Sequence, residues 1–205
     1  MPSIKLTYFN GPGRAELIRL IFAQGGVDFT DERIEGKDWP ELKSSGRFPF
    51  QQIPILEVDG HVYVQSTAIA RAAARFSGLA GKTSLEQALA DEIVDFLQAD
   101  LQEKIIKFLF GEKDEDKKAE LKKKFVEEEA PKGLGFLQKR LEQAGGEYFT
   151  GSLTYADIGF YRFVKFTENI LNGEEMATQF PKLAALYDRV ANLPNIKKYA
   201  EEHKS

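Results

Sequence analysis

The residues best suited to bind a ligand lie close together, within residues 52–71. Ile53 and Pro54 form an X-Pro bond in front of a short apolar strand, and Gln65 and Ser66 stand at the start of a helical pattern. The segment therefore offers an X-Pro bond, an exposed backbone edge and a helix N-terminus, each of which can bind a peptide-like anion.

The composition limits what the chain can do with its own side chains. It contains no cysteine and only two histidines, His61 and His203. Disulfides, thiolate nucleophiles and cysteine metal sites are excluded, and a histidine metal site or catalytic triad is disfavoured. Any sulfur chemistry must therefore use sulfur that a ligand brings in, and we expect no metal.

Charge and hydropathy bear on the partners. The formal net charge is -4 and the pI is about 5.4, which argues against a nucleic-acid partner. No apolar run approaches the roughly 18 residues that a membrane span needs, so we expect no membrane partner. The N-terminal residues lack a charged segment followed by an apolar one, so we expect no signal peptide and a cytoplasmic location.

Apolar periodicity and turn residues predict the elements that carry these groups. The first 80 residues read as strand, helix and strand, then a long irregular connection, then two strands and a helix. The predicted positions are a strand at 4–9, a helix over about 14–24, a strand over 28–34, the irregular connection over 36–52, a hairpin at Asp59-Gly60 and a helix with Ser66 as its N-cap. The strand–helix–strand order implies a parallel pair with a right-handed crossover.

The chain after a linker at residues 79–82 reads as all helical. A long helix starts near Ser84, with apolar residues at four-residue spacing. Thr154 and Asp157 form a capping-box variant before a strongly apolar helix, so Asp157 is interpreted as a structural cap and not as a catalytic acid. The predicted fold class is therefore α/β plus all-α, with domains at residues 1–80 and 81–205.

Several short motifs, in order along nearly the whole chain, resemble the cytosolic glutathione transferases. The motifs are LTYF at 6–9, GRAE at 13–16, DWPxxK at 38–43, PFQQIP at 49–54, LEVDG at 56–60, QSxAIAR at 65–71 and GSLTYAD at 151–157. The resemblance is to the sigma class, of the invertebrate type related to the prostaglandin D synthases. It implies a thioredoxin-like N-terminal domain (βαβ-ββα), an α-helical C-terminal domain, and glutathione as a substrate with no cofactor.

The resemblance implies that Tyr8, near the C-terminal end of the first strand, keeps the glutathione thiol deprotonated. A free thiol has a pKa of about 8.5, so only a few per cent is thiolate at pH 7. A hydroxyl that donates to sulfur favours the thiolate, and a hydrogen bond to a charged group is worth about 1.5–3 kcal/mol. The alternative is a half-buried tyrosine whose hydroxyl bonds a local carbonyl.

Arg14 is implied to lie near the sulfur and to support Tyr8 electrostatically; a surface ion pair with Glu16 is its alternative.

The contacts to the peptide are carried over in the same way. A cis bond between Ile53 and Pro54 is implied, which turns the backbone of Ile53 toward an extended peptide that pairs as an added strand. A trans proline that merely starts a strand is the alternative.

Two further groups are implied to hold the carboxylates of glutathione. Gln65 and Ser66 are assigned the γ-glutamyl end, at a helix N-terminus. Trp39 and Lys43 are assigned the glycyl carboxylate, with a further contact from Gln52; Trp39 as a cover for the core is the alternative.

The second substrate is expected to be a hydrophobic electrophile in an apolar pocket between the two halves. Candidate wall residues are Phe9, Gly11, Gly13, Leu101, Ile105 and Tyr155. An apolar helix stripe is, however, more often core than pocket.

Some positions depart from the sigma pattern. Where that family has an acidic residue that reaches the partner subunit's glutathione, this chain has Ala99, and the acid follows at Asp100. One step rotates a side chain by about 100° on an α-helix, which separates the two positions. Gln98 and Ile106 also differ from the prostaglandin D synthases, so prostaglandin synthesis is not favoured over general conjugation.

We therefore predict a glutathione transferase that activates the glutathione thiolate for attack on hydrophobic electrophiles, in detoxification. A homodimer is implied, formed through the helix that starts near Ser84. The rivals are a glutathione-dependent prostaglandin D synthase and a non-catalytic ligand carrier or lens-type structural protein.

Overall fold

The structure, a computed structural model, describes residues 2–203 and divides into two compact units. Gly81–Leu193 forms the second unit, and the first combines the residues on either side of it. The sequence placed residues 81–205 in one helical domain. The structure differs at the last helix, Pro194–Glu202, which belongs to the first unit.

The first unit contains a four-stranded mixed sheet. Its elements are β1 (Ile4–Phe9), a 3₁₀ turn (Gly13–Ala15), α1 (Glu16–Gly25), β2 (Thr30–Ile34), α2 (Trp39–Ser44), β3 (Ile55–Val58), β4 (His61–Val64) and α3 (Ser66–Phe76). The strand order is β2-β1-β3-β4, with β1 parallel to β2 and the other pairs antiparallel. Because Thr7 pairs with Ile55, the end of β1 lies beside the segment that precedes β3.

Sequence features explain these elements. Ile4 and Leu6 of β1 are buried, as alternation along a strand predicts. Gly26 ends α1 in the left-handed region with a φ of 64°, which glycine adopts without steric cost. Asp59 and Gly60 have φ values of 48° and 84°, and positive φ at both positions is what a tight two-residue hairpin requires.

Two local predictions need correction. The connection over residues 36–52 is not wholly irregular, because it contains α2, with Pro40 in its first turn, where a missing N–H costs no helical hydrogen bond. The N-cap of α3 is Gln65 and not Ser66; Ser66 is the first helical residue.

The second unit is entirely helical within its described residues. Its elements are α4 (Ser84–Asp95), a π-helical segment (Phe96–Gln102), α5 (Glu103–Ile106), a second π-helical segment (Lys107–Gly111), α6 (Glu115–Lys124), a third (Phe125–Glu129), α7 (Ala130–Gln143), α8 (Tyr155–Thr167), α9 (Gly173–Gln179) and α10 (Pro181–Ala191). The helix Pro194–Glu202 is α11. Between residues 2 and 203, none of the helices combines the length and the apolar character needed to cross a bilayer.

A capping box starts α8, as the sequence predicts. The buried carboxylate of Asp157 accepts hydrogen bonds from the backbone N–H groups of Thr154 at 2.8 Å and Phe149 at 2.9 Å. Burial disfavours the charged form more strongly than these bonds favour it, and raises the pKa of Asp157 to about 6. Asp157 therefore organises the helix start.

The last helix, α11, packs on α1 of the first unit. Ile196 is fully buried there, and the Asn195 side chain donates to the backbone carbonyl of Gln24 at 3.1 Å. The Tyr199 hydroxyl donates to the Glu16 carboxylate at 3.1 Å. An apolar contact flanked by two hydrogen bonds explains why the chain returns to its first unit.

Candidate active site

The hydroxyl of Tyr8 lies against the turn that precedes α1. The backbone N–H of Arg14 donates to the phenolic oxygen at 3.2 Å. Gly13 has a φ of 42°, and a Cβ atom at this position would lie 2.6 Å from both the hydroxyl oxygen and a ring carbon of Tyr8. Because a hydroxyl has one proton and two lone pairs, the contact with Arg14 leaves the phenolic proton available to a ligand.

A buried arginine that the sequence analysis did not single out holds this turn. Arg19 of α1 is fully buried, and its guanidinium donates to the carbonyl oxygens of Gly11 at 2.8 Å and Pro12 at 3.3 Å. Its guanidinium carbon lies 6.0 Å from the centre of the Tyr8 ring. Arg19 therefore fixes both the backbone of the turn and one side of the phenol. A charged residue inside the apolar run of residues 17–22 is the sequence signal that could have identified it.

Carboxylates on two elements balance the charge of Arg19. Its Nε atom lies 3.1 Å from both carboxylate oxygens of Asp31 on β2, and its Nη1 atom lies 3.3 Å from Glu16. Asp31 also pairs with Arg33 at 2.8 Å. Burial, followed by the charge of Glu16, raises the pKa of Tyr199 above its ordinary value, so this phenol remains a hydrogen-bond donor. Because Glu16 contacts both Arg19 and Tyr199, the turn at Tyr8 is linked to α11.

Trp39, at the start of α2, belongs to an aromatic cluster beside Tyr8. Its ring meets Phe9 edge-on at 5.8 Å and Phe48 at 5.1 Å, and Phe9 in turn meets Tyr8 at 5.6 Å. The cluster fixes the half-buried indole. Lys43 is exposed one helical turn further along α2, so a cation and an indole N–H occur on the same short helix.

An ion cluster attaches the loop before β3 to the sheet. Arg47 forms a two-pronged pair with Glu32 of β2, and its Nη2 atom lies 3.1 Å from Glu57 of β3 and 3.0 Å from Thr7 of β1. The hydrogen bond from Arg47 lowers the pKa of Glu32 to about 2. Three strands therefore hold the loop that leads to residues 52–54.

The peptide bond between Ile53 and Pro54 is cis, as the resemblance implies. Pro54 is buried, Ile53 is half-buried and Gln52 is exposed. The pairing of β3 begins one residue later, at Ile55. The backbone on the N-terminal side of the proline therefore lies next to the end of β1, which carries Tyr8.

The start of α3 has an unusual backbone. Gln65 has a φ of 71°, a region that only glycine occupies easily, and its side chain is exposed. Strain of this kind, costing about 1–3 kcal/mol, is concentrated at ligand sites. Ser66 follows as the first residue of α3, at the end of the helix that favours a negative group.

Two family models match the chain. The model described as the N-terminal domain of glutathione S-transferase matches residues 4–75, and the model described as the C-terminal domain matches residues 99–203. The chain belongs to the glutathione S-transferase family.

Relatives of this transferase match it over nearly its whole length. The hematopoietic prostaglandin D synthase of Gallus gallus is 44% identical over 197 residues, covering 96% of this chain and 94% of that protein. Glutathione S-transferase 1 of Ascaris suum is 40% identical over 209 residues, covering 98% and 97%. The solved structure of prostaglandin synthase D of Nilaparvata lugens has a TM-score of 0.87 at 36% identity and covers 100% of both chains. These matches confirm the predicted fold class and the prediction of a glutathione transferase.

The candidate residues for the electrophile pocket have different surroundings in this transferase. Phe9 is half-buried in the aromatic cluster, and Gly13 is exposed beneath Tyr8. Leu101 and Ile105 are 2% and 0% exposed. They are core residues of the second unit, where a Cβ atom on Gly133 would lie 2.8 Å from Leu101, so they have no free surface with which to line a pocket.

Asp100 lies in a π-helical segment, which slightly changes the argument made from the sequence. Within Phe96–Gln102 the hydrogen bonds run from residue i to i+5, as in the bond from the Glu103 N–H to the Gln98 carbonyl. A π-helical turn holds more residues than an α-helical turn, so one step rotates a side chain by somewhat less than in an α-helix, and Ala99 and Asp100 still point in different directions. Both side chains are exposed.

Among residues 2–203 no group of three or more His, Cys, Asp or Glu side chains is placed to hold a metal ion. The chemical groups available around Tyr8 are therefore a phenol, backbone N–H groups, an indole and cationic side chains. These are groups that bind an anionic peptide and stabilise a thiolate.

Proposed function

We propose that this transferase binds glutathione along the first unit and adds its thiolate to hydrophobic electrophiles, with Tyr8 as the donor to sulfur. The observation that carries the proposal is the hydrogen bond from the Arg14 N–H to the Tyr8 oxygen. Within the described part of the chain, no carbonyl accepts the phenolic proton, which argues against the alternative of a merely structural tyrosine. The phenolic O–H of Tyr8 can therefore donate to the sulfur of glutathione.

The same geometry supports an orientation for the peptide. The cysteinyl backbone pairs with Ile53 beside the cis proline, which brings its sulfur toward the end of β1. Gln65 and Ser66 hold the γ-glutamyl carboxylate at the positive end of α3.

The other end of the peptide reaches α2. The glycyl carboxylate accepts from the Trp39 indole N–H and pairs with Lys43, and Gln52 adds a contact. Arg14, which follows Gly13 in the turn before α1, supports the thiolate electrostatically. Each of these groups belongs to the first unit.

We further propose that the transferase is a cytoplasmic, sigma-class detoxification enzyme that forms a homodimer. An apolar groove of about 430 Å³ between α4 and α7 supports the dimer, because Phe136 is 49% exposed there and packs edge-on against Phe96. An ion pair between Glu92 and Arg140 borders the groove. Light scattering during size-exclusion chromatography tests the homodimer, and the molar mass of a single subunit would contradict it.

A Tyr8→Phe variant tests the function. Loss of a hydrogen bond to the thiolate is expected to lower kcat/KM with a chloronitrobenzene about 10- to 100-fold. The Tyr8→Phe protein is still expected to bind glutathione-agarose, because Phe keeps the ring contact with Phe9. An unchanged rate would reject the assigned role of Tyr8, and loss of binding with normal folding would show a positioning role instead.

The similarity to prostaglandin D synthases favours a second candidate, glutathione-dependent isomerisation of a prostaglandin endoperoxide. The two reactions share the thiolate and differ in the second substrate. Product analysis with the endoperoxide and glutathione separates them, because conjugation consumes glutathione and isomerisation returns it.

A further inference from the structure

A cavity in the second unit contains none of the candidate glutathione residues. It has a volume of about 340 Å³ and lies among α8, α9 and α10. Its walls include the buried side chains of Phe160, Leu171 and Leu183 and the half-buried side chains of Met176 and Tyr187. Ligand cavities usually range from about 300 to 1,000 Å³, so this one is large enough for a small organic molecule.

The charged groups of the cavity wall have one sign. Among the described residues that line it, the charged side chains are Glu168 and Asp188, with no lysine or arginine. Glu168 pairs with Lys165, outside the lining, at 2.5 Å. Asp188 is exposed, and no ion pair joins it to another residue of the range 2–203. The wall therefore carries a carboxylate without a cationic partner next to an apolar interior.

Tyr187 lies between the apolar and the acidic parts of the wall. Burial raises the pKa of its phenol above the ordinary value, so the ring stays neutral at physiological pH; the nearby charge of Lys165 opposes this rise, and the charges of Glu168 and Asp188 add to it. The ring is stacked on Tyr161 at 5.4 Å with an angle of 23°. A fixed, neutral aromatic ring next to carboxylates suits a cation, since the face of the ring also attracts positive charge.

We propose that this cavity is a second ligand site, which binds small apolar molecules that carry an ammonium group. The apolar body contacts Phe160, Met176 and Leu183, and the ammonium group pairs with Asp188 beside the Tyr187 ring. An anionic ligand is disfavoured by the carboxylate of Asp188, since the charge of Glu168 is balanced by Lys165. The site differs in ligand charge from the glutathione site, which is built for carboxylates.

Three probes that share a naphthalene ring test the proposal by calorimetry. They are the cation of 1-naphthylmethylamine, the neutral 1-naphthalenemethanol and the anion 1-naphthaleneacetate. The protein is saturated with S-hexylglutathione, which occupies both the glutathione and the electrophile positions. We expect the amine to bind more tightly than the alcohol, and the alcohol more tightly than the acetate. Equal affinities, or loss of amine binding when S-hexylglutathione is present, would overturn the proposal.

Two variants locate the site. Asp188→Asn is expected to weaken the amine about two- to fivefold, as for an exposed ion pair, and to leave the alcohol unchanged. Glu120→Gln, the same charge change at an exposed position on α6, is the matched control and should change neither. Ala184→Phe places a ring in the cavity and should remove binding of all three probes. If this variant does not fold, Asp188→Asn and the S-hexylglutathione experiment decide alone; an amine affinity that Asp188→Asn does not change contradicts the site.

Discussion

Arg14 supports the phenol of Tyr8 through its main chain, with its backbone N–H 3.2 Å from the phenolic oxygen. The position of the phenol thus depends on the path of the turn before α1 and on the absence of a side chain at Gly13. Any residue other than proline at position 14 can keep this hydrogen bond, whereas a substitution that shifts the backbone of the turn would lose it.

Gly13→Ala is expected to impair catalysis about as much as Tyr8→Phe. The added methyl group would lie 2.6 Å from the hydroxyl of Tyr8, at a backbone φ of 42° that alanine adopts poorly. The loss of kcat/KM with a chloronitrobenzene measures the effect.

Gly36→Ala is the control for this experiment, because a Cβ atom there meets nothing within 4 Å and Gly36 has no assigned role. Equal activity of the Gly13→Ala and Gly36→Ala proteins would show that the phenol does not need the close approach of Gly13.

Arg19→Met is expected to lower both stability and catalysis. Asp31 is half-buried and would keep its pair with Arg33, so the loss of the buried guanidinium and its hydrogen bonds is expected to cost about 1–3 kcal/mol of unfolding free energy. The turn would lose its two carbonyl contacts, so the pH profile of kcat/KM should shift upward as the thiol becomes harder to ionise. Denaturation and pH–rate profiles measure the two effects.

Arg33→Gln provides the comparison for Arg19, because Arg33 also pairs with Asp31 at 2.8 Å but is exposed. We expect a small stability loss and an unchanged pH profile. Arg19→Lys, which keeps the charge but not the planar fork, should recover stability more than it recovers the profile. A normal pH profile of kcat/KM in Arg19→Met would show that Arg19 does not position Tyr8.

Gln65→Gly is expected to raise stability and weaken glutathione binding. Relief of the positive φ of 71° should add about 1 kcal/mol to the free energy of unfolding. Loss of the amide contact to the γ-glutamyl end should weaken glutathione binding about tenfold. Urea denaturation and calorimetry with glutathione give the two values.

Gln51→Gly is the matched control, since Gln51 also has a positive φ, of 51°, and is not assigned to glutathione. It should gain stability without losing affinity. Unchanged affinity in Gln65→Gly would mean that this side chain does not contact the peptide.

Arg47→Gln is expected to reduce stability at neutral pH and to flatten its dependence on acid. The pKa of Glu32 falls from 4.5 to about 2 in the folded protein, chiefly through the hydrogen bond from Arg47. A lowered pKa stabilises the fold above 4.5, and this stabilisation is lost as the pH falls toward 2. Urea denaturation between pH 3 and pH 7 should show a shallower slope in the variant over the acidic part of this range.

Lys118→Gln is the control for Arg47, because Lys118 forms an i,i+3 pair with Glu115 on a helix surface. Its removal should change neither the slope of the unfolding free energy against pH nor the KM for glutathione. Arg47→Gln should also raise that KM, since the ion cluster positions the loop before the cis proline. If the unfolding free energy of Arg47→Gln varied with pH as in the parent protein, the lowered pKa of Glu32 would not depend on Arg47.

The strands and the hairpin could be predicted because each has a strong local cause. Apolar residues at alternate positions, Ile4, Leu6 and Tyr8, mark β1, and Asp59 with Gly60 supplies the positive φ values that the turn needs. The helix α2 was missed because six residues are too few to show a helical period, and the proline in it reads as a loop signal. The return of α11 to the first unit depends on contacts between distant residues, which no local pattern contains.

The candidate site was predictable where a motif fixes a residue type, and not where the backbone decides. The cis bond before Pro54 followed from the motif. The N-cap of α3 did not, because serine is a preferred capping residue and nothing in the sequence announces a positive φ at Gln65. The π-helical segment that contains Asp100 could not be predicted, because the four-residue apolar spacing there reads as a regular α-helix.

The packing of α11 on α1 has a consequence for synthesis on the ribosome. Tyr8 and the turn beneath it are translated before the whole second unit, yet the hydrogen bond from Tyr199 to Glu16 can form only when α11, which follows that unit, has left the exit tunnel. The first unit must therefore stay incompletely assembled while the helical unit is being made.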